Sequence, residues 1–455
     1  MWEITRKMGR DLRELEKLEK KFNRKQKPNI AVNIQSKIIS TGLFIISLFI
    51  KIIEIIISII FVIFAVVVHF ALLIRKIFTG KPILARKLIF GKKAIPTQIA
   101  YFNLKNQLLR NLALFYYVIL GKLSLTGIGI REYNAEKRII GDSYAYSQKP
   151  GIFNLWYIRE SSRTGYEGKL DTDLEYIYTR GYLKDFLLIL KTLPAMVYNS
   201  KKDSYPSKIN MFGIKLLNKR MREAITLIER LVKYSRQEKI FFVNPDCLNK
   251  IFKDKTYYRI LKETEYIFPD GIGINIAAKM LNNPLLENLN GTDMLPYLCE
   301  NAVKNRFRIF LLGAQPGVAE KAKANLIKKF NGLQISGTQH GYFGKEEEQK
   351  VIEKINKSKT DILLVALGVP KQEKWICGNL SKLQVKVAMG VGGLFDFYSG
   401  KIKRAPRWMR EVGLEWLYRV LQEPKRMWRR YIIGNPLFLL RVIKWKMAKQ
   451  NIGEL

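Results

Sequence analysis

Histidine, cysteine and acid are the scarce materials of this chain. Only His69 and His340 stand among its 455 residues. That count all but rules out a Ser-His-Asp triad or a His-rich metal site. Cys247, Cys299 and Cys377 are isolated, with no Cys-x-x-Cys pair. Reduced cytosolic thiols are expected, rather than a zinc site or a disulfide framework. Acidic residues number 39 against 79 Lys and Arg, a formal net charge of +40. Such an excess implies an anionic partner: nucleic acid, an anionic membrane surface or phosphorylated substrates. No nucleic-acid-binding signature accompanies it, so no nucleic-acid partner is expected. A long apolar stretch shifts the expectation to the membrane.

Apolar residues are plentiful, at 48% of the chain, and the length suits two or three domains. Residues 1–37 are basic, with apolar residues at helical spacing. They read equally as a helix on anionic lipid or as a solvated one. Residues 38–74 form a membrane hairpin or transmembrane segment. Ile55–Ile74 carries no formal charge and is long enough to span a bilayer. Lys51 and Glu54 separate it from the shorter run Ile38–Ile50. Both flanks are basic, with Arg24, Lys25, Lys27 and Lys37 before, and Arg75, Lys76, Lys81, Arg86 and Lys87 after. The positive-inside rule places both flanks in the cytoplasm, which a hairpin turning near Lys51 and Glu54 satisfies. A cleavable signal peptide is not expected, because the stretch begins late and no small-residue cleavage site follows.

Residues 209–400 have a different pattern. The apolar runs KIFFV, EYIF, RFRIFLL, DILLVAL and VKVAM each break into a polar or glycine-rich loop, and most of these loops lead into a helical pattern. Alternation of this kind predicts an α/β, Rossmann-like fold with a parallel sheet and helices on both faces. Ligands bind such sheets at the carboxyl ends of the strands, where every one of these loops would lie. Asp270, in a Pro-Asp-Gly-Ile-Gly loop with Gly271, can take a proton from an attacking hydroxyl or cap the next helix. Asn244 can bind a sugar hydroxyl or close an Asx turn. The loop holding Gly313 is a weak phosphate-loop signal. Lys371 and Gln372 suit a phosphate or uracil contact, or simply start a helix. The loop of Gly392 brings backbone close to a ligand or to a helix.

Residues 401–455 form a basic, aromatic, helical appendage. Arg419, Arg426, Arg429 and Arg430 offer forks that match diphosphate oxygens, and Pro424 breaks their helix in two. Trp408, Trp416, Trp428 and Trp445 suit a membrane interface.

Residues 75–200 are expected to be a small α-rich domain, joined to the next by a polar linker at 199–208. LGKLSLTGIG and QKPGIFNLWYIRESSRTGYEGKLDTDLEYI resemble the bacterial sugar-phosphate transferases that load a sugar-1-phosphate onto undecaprenyl phosphate. The resemblance includes Lys149, Pro150, Gly151, Leu155, Trp156, Arg159, Asp173 and Tyr176. The family's catalytic Asp-Glu pair belongs between about residues 90 and 108, where this chain has no acidic residue. Without that nucleophile the domain is expected to be inactive, leaving it a role in membrane docking or in holding a polyprenyl-linked substrate.

Residues 210–435 closely resemble the WecG/TagA/CpsF-type glycosyltransferases. FPDGIGI, NGTDMLP, FLLGAQPGVAEKA, LGVPKQEKW, GVGGLFDF and GLEWLYRVLQEPKRMWRRY carry the likeness, in order. It implies an inverting hexosyltransferase that moves an N-acetylmannosamine-like sugar from a UDP donor to an undecaprenyl-diphosphate-linked acceptor in surface polysaccharide synthesis. It also implies work at the cytoplasmic face of the bacterial inner membrane. It makes Asp270 the catalytic base. To substrate binding it assigns Asn244, Gly271, Thr292, Asp293, Gly313, Lys371, Gln372, Gly392, Arg419, Arg426, Arg429 and Arg430. No metal or cofactor is expected, since the domain lacks an Asp-x-Asp motif and its tail is rich in Arg. Members often carry Thr two residues before the Asn. Phe242 stands there, so sugar or acceptor preference is expected to differ. A bifunctional enzyme with both domains active, using Glu132 or Asp142, and a non-catalytic scaffold are the alternatives. A homo-oligomer is left open.

Overall fold

The computed structural model describes residues 30–104, 107–133, 145–164, 167–198, 205–235 and 237–453. Most of the basic segment 1–37, most of the linker 199–208, and Asp142 lie outside these residues. The chain divides into two compact units, Met1–Lys87 with Gln98–Leu125, and Leu88–Thr97 with Thr126–Leu455.

In the first unit one helix runs unbroken from Ile30 to Thr79. The hairpin expected around Lys51 and Glu54 does not form. No Gly or Pro follows Gly42 in this stretch, and two charges three residues apart are good helix formers, so nothing local ends the helix. Ile52–Thr79, 28 residues, is long and apolar enough to cross a bilayer. From Ile55 to Ile74 its exposed side chains are all apolar, with Val67 and Phe70 largely exposed. Its other face packs on helix Leu114–Ile119, where Phe61 stacks on Phe115 at 4.4 Å.

The second unit is built on a six-stranded sheet. Its strands are β1 (Glu238–Val243), β2 (Tyr266–Pro269), β3 (Arg308–Gly313), β4 (Gln334–Gln339), β5 (Ile362–Ala366) and β6 (Val387–Gly390). They lie in the order β4-β3-β5-β6-β1-β2, and every pairing is parallel. Alternate residues of one strand enter opposite cores. Ile240 and Phe242 face the helices Met221–Tyr234, Gly291–Asn305 and Val318–Lys329. Phe241 and Val243 face Pro245–Lys250, Ile272–Met280 and Lys371–Asn379. A sheet covered on both faces needs apolar residues at every position, which explains the unbroken apolar runs in the sequence. The sheet is thus the predicted α/β, Rossmann-like one, with β4 added at its edge.

The appendage follows the predicted break. Helix Glu415–Gln422 stops, and Pro424 opens a new helix to Trp428. A single π turn, Arg429–Ile433, then leads into Gly434–Gly453. Phe438 and Val442 of this last helix are fully buried in the core on one side of the sheet. Asn249 donates to the Gly434 carbonyl at 2.7 Å and Arg441 donates to Asn249 at 2.7 Å, fixing the end of the π turn against the helix that follows β1.

Candidate active site

The carboxyl ends of β1, β2 and β6 open into a cleft of about 620 Å³. Register builds its floor. Val243 pairs with Pro269, so the next residues, Asn244 and Asp270, emerge side by side. Asn244 does two things at once. Its Oδ1 caps helix Pro245–Lys250 by accepting the Cys247 amide at 3.1 Å, and its Nδ2 points to Asp270 Oδ2 at 3.5 Å. The Asx cap and the polar contact are therefore two uses of one side chain.

Gly271, at φ +89°, turns the chain sharply after Asp270, and its amide donates to Asn288 Oδ1 at 2.7 Å. Burial raises the pKa of Asp270, while Asn244, Arg430 and Arg419 pull it back without cancelling the rise. Proximity to the helix start at Ile272 acts in the opposite sense.

Three arginine environments differ. Arg419 stacks over Phe397 at 5.0 Å, and Arg430 stacks over Tyr431 at 5.4 Å. Both Nε groups are buried without a hydrogen-bond acceptor among the described residues, Arg430's lying 3.7 Å from Asp246. Arg426 and Arg429 line the same cleft but are exposed, one paired with Glu423 at 3.1 Å and the other over Trp428 at 5.6 Å. Arg404 and Arg410 hold Asp293 at 2.7 and 3.3 Å. Burial pushes the Asp293 carboxyl up, but these arginines and Asn290 outweigh it and leave it below the ordinary value. Asp293 therefore lines the cleft as an anchored group, its oxygens already occupied.

Gln372 also lines the cleft with both ends engaged. Its Oε1 accepts the Gly392 amide at 2.9 Å, and its Nε2 donates to Glu373 at 2.9 Å. Its role is to hold the Gly392 loop, which at φ +58° needs glycine. Thr292 lines the cleft as well, its carbonyl accepting from the Tyr398 hydroxyl at 2.9 Å. Phe242 packs on Phe268 at 5.7 Å and closes part of the wall.

Two expected binding residues are not in the cleft lining. Gly313 ends β3, which β5 and β6 separate from β1 and β2, and a Cβ there would meet the Ala366 carbonyl at 2.4 Å. Close strand packing requires that glycine. Lys371 is exposed at the start of its helix, where a turn of about 100° separates its side chain from that of buried Gln372. Residues that sequence reasoning did not single out are Asn288, Asn290, Phe397, Arg410, Glu415, and Ser162 with Thr164 from the middle of the chain. Glu415 stands within GLEWLYRV, Asn290 within NGTDMLP and Phe397 within GVGGLFDF, so those stretches could have flagged them; Ser162 and Thr164 lie in the stretch that resembles the sugar-phosphate transferases, and Asn288 and Arg410 carry no local signal. Among the described residues no three His, Cys, Asp or Glu side chains come together.

Glu373 is fully buried, and burial pushes its carboxyl up to about 7. Its Oε2 has no partner among the described residues. A carboxyl raised above its unfolded value binds a proton on folding, so its stabilising contribution is present at acid pH and is lost as pH rises towards 7. Glu373→Gln is therefore expected to gain about 3 kcal/mol over the parent at pH 8. Denaturant melts at pH 4.5 and pH 8 check this, since the gain should vanish at the lower pH.

Comparison with known proteins gives the site its setting. Residues 97–199 match the family model of the bacterial sugar transferases. Residues 209–452 match that of the glycosyl transferase WecG/TagA/CpsF family. The chain is 34% identical over 209 residues to an N-acetylglucosaminyldiphosphoundecaprenol N-acetyl-beta-D-mannosaminyltransferase of Bacillus subtilis (strain 168), covering 46% of this chain and 80% of that protein. It is 31% identical over 253 residues to the enzyme of the same name from Staphylococcus aureus (strain MRSA252), covering 55% of this chain and 97% of that protein. A parallel sheet whose strand ends gather a carboxylate, amides and arginines, with a family match over more than half the chain, leads to one conclusion: this chain belongs to the glycosyl transferase WecG/TagA/CpsF family.

Proposed function

We propose that the chain transfers an N-acetylmannosamine-like sugar from a UDP donor to an undecaprenyl-diphosphate-linked acceptor at the cytoplasmic face of the membrane. Asp270 is the general base in this reading. It takes the proton of the acceptor hydroxyl, whose oxygen attacks the anomeric carbon from the face opposite UDP. The bond to UDP breaks, and its electron pair leaves with the diphosphate, so the configuration inverts. Arg419 and Arg430, with Arg426 and Arg429 at the rim, offset the charge that develops on that diphosphate. The observation that carries the reading is a desolvated carboxylate on the floor of a cleft bordered by arginines with unsatisfied N–H groups. The relatives' names support the acceptor and the sugar class. The apolar helix Ile52–Thr79 supports residence at a membrane. The segment matching the sugar transferases is read as inactive for want of acidic residues at 89–108.

Detergent-purified full chain with polyprenyl-diphosphate N-acetylglucosamine and a panel of UDP-N-acetylhexosamines tests the reading. UDP release with a matching mass gain on the lipid is the expected result. UMP release with polyprenyl phosphate alone would show that the middle segment is active. No product across the panel from folded protein would overturn the transferase reading in favour of a scaffold.

A further inference from the structure

The middle segment has a place in the cleft that its own family likeness does not provide. Helix Leu155–Ser162 is capped by Asn154, which accepts the Tyr157 amide at 2.8 Å, and ends at Arg163 in the left-handed region. Arg159 is fully buried and donates to Glu411 of the appendage and to Glu175, each at 2.8 Å. Ile158, Tyr176 and Leu188 share one core with Val412 of the appendage. The end of this helix is therefore built into the body of the glycosyltransferase.

From there it reaches the base loop on two sides. The Ser161 carbonyl accepts from Asn275 at 3.2 Å, in the helix that starts just after Asp270 and Gly271. The Arg163 carbonyl accepts the Asn288 amide at 2.9 Å, and Asn288 in turn holds the Gly271 amide. Between these two clamps the Ser162 and Thr164 hydroxyls, 2.8 Å apart, lie in the cleft wall. Ser162 can place its proton on the Ile158 carbonyl at 3.0 Å. Thr164 then donates to Ser162 and keeps lone pairs for an incoming N–H or O–H. With its proton given to Ser162, Thr164 offers only lone pairs, which accept from a sugar's N–H or O–H and find no donor on an ionised diphosphate.

We propose that residues 161–164 form the acceptor wall of the cleft, with Thr164 a specificity-determining contact to the acceptor's amino sugar and Asn288 the positioning residue that ties the wall to the base loop. The inference rests on Asp270 being the base, since the sugar beside it is then the acceptor. A segment that resembles one enzyme thus serves as part of another's binding site.

The test uses the full chain in detergent. Thr164→Val keeps the side-chain shape and removes the oxygen. It is expected to raise the acceptor's KM about tenfold, the loss of one hydrogen bond, with the donor's KM unmoved and Thr164→Ser close to the parent. An unchanged acceptor KM, or a change confined to the donor, overturns the proposal. Asn288→Ala is expected to lower kcat and to move the acid limb of its pH profile. Lower thermal stability with the limb in place would remove Asn288 from it. Should the parent transfer no sugar, the proposed function fails, and calorimetry with a short-chain prenyl-diphosphate N-acetylglucosamine still decides this point. Weaker binding by Thr164→Val supports the wall, and equal or absent binding overturns it.

Discussion

Asp270→Asn lowers kcat by about a thousandfold while donor and acceptor still bind, because a positioned base contributes roughly 10²–10⁴ to such a transfer. The substitution keeps the shape and the contact to Asn244, so folding should survive. The pH profile gives an independent check. The base must be ionised, so kcat/KM rises with pH through its pKa. Burial has moved that pKa upward, which places the acid limb above the ordinary carboxylate range. Arg430→Met removes a charge that favours the ionised form, so the limb should move further up. A limb at the ordinary carboxylate position, or an Asp270→Asn variant with more than a tenth of parental kcat, would remove Asp270 as the base.

Arg419→Met and Arg430→Met each lower kcat by about a hundredfold, and the pair by more. Preorganised donors aimed at developing charge are worth that much in a partly desolvated site. Exposure separates the four arginines. The Arg430 side chain is 27% exposed and that of Arg426 is 63% exposed, so charge at Arg426 is screened by water and by Glu423. Arg426→Met and Arg429→Met are expected to cost tenfold or less. Arg430→Lys should recover only part of the loss, because an ammonium lacks the planar fork. The same order should appear in product inhibition by UDP, with the Arg419 and Arg430 variants weakened most. Equal effects at all four positions would indicate a general basic field instead of two placed groups.

Much of the sheet was legible because its strands are buried on both faces, which writes them as continuous apolar runs ending in polar loops. The strand Gln334–Gln339 was not. It lies at the sheet edge with one pairing neighbour, so its polar sequence QISGTQ gives no apolar run. The charge pattern around Ile38–Ile74 suggested a turn, but helix continuity is set by local backbone preference, and no residue there breaks it.

The α/β sheet, the emergence of Asn244 and Asp270 at strand ends, and the helix break at Pro424 were all readable from the chain alone. These depend on alternation, on strand termini and on a ring that lacks an amide proton, all of which are local. Long-range packing set which polar groups are available. It turned Gln372 onto the Gly392 amide, occupied Asp293 with Arg404 and Arg410, and set Gly313 and Lys371 outside the cleft. It also brought Ser161 to Asn275 across 114 residues of chain, placing Ser162 and Thr164 in the wall beside the base loop. Residue type says what a side chain can do. Burial and the partners it meets across the fold decide what it has left to offer a ligand.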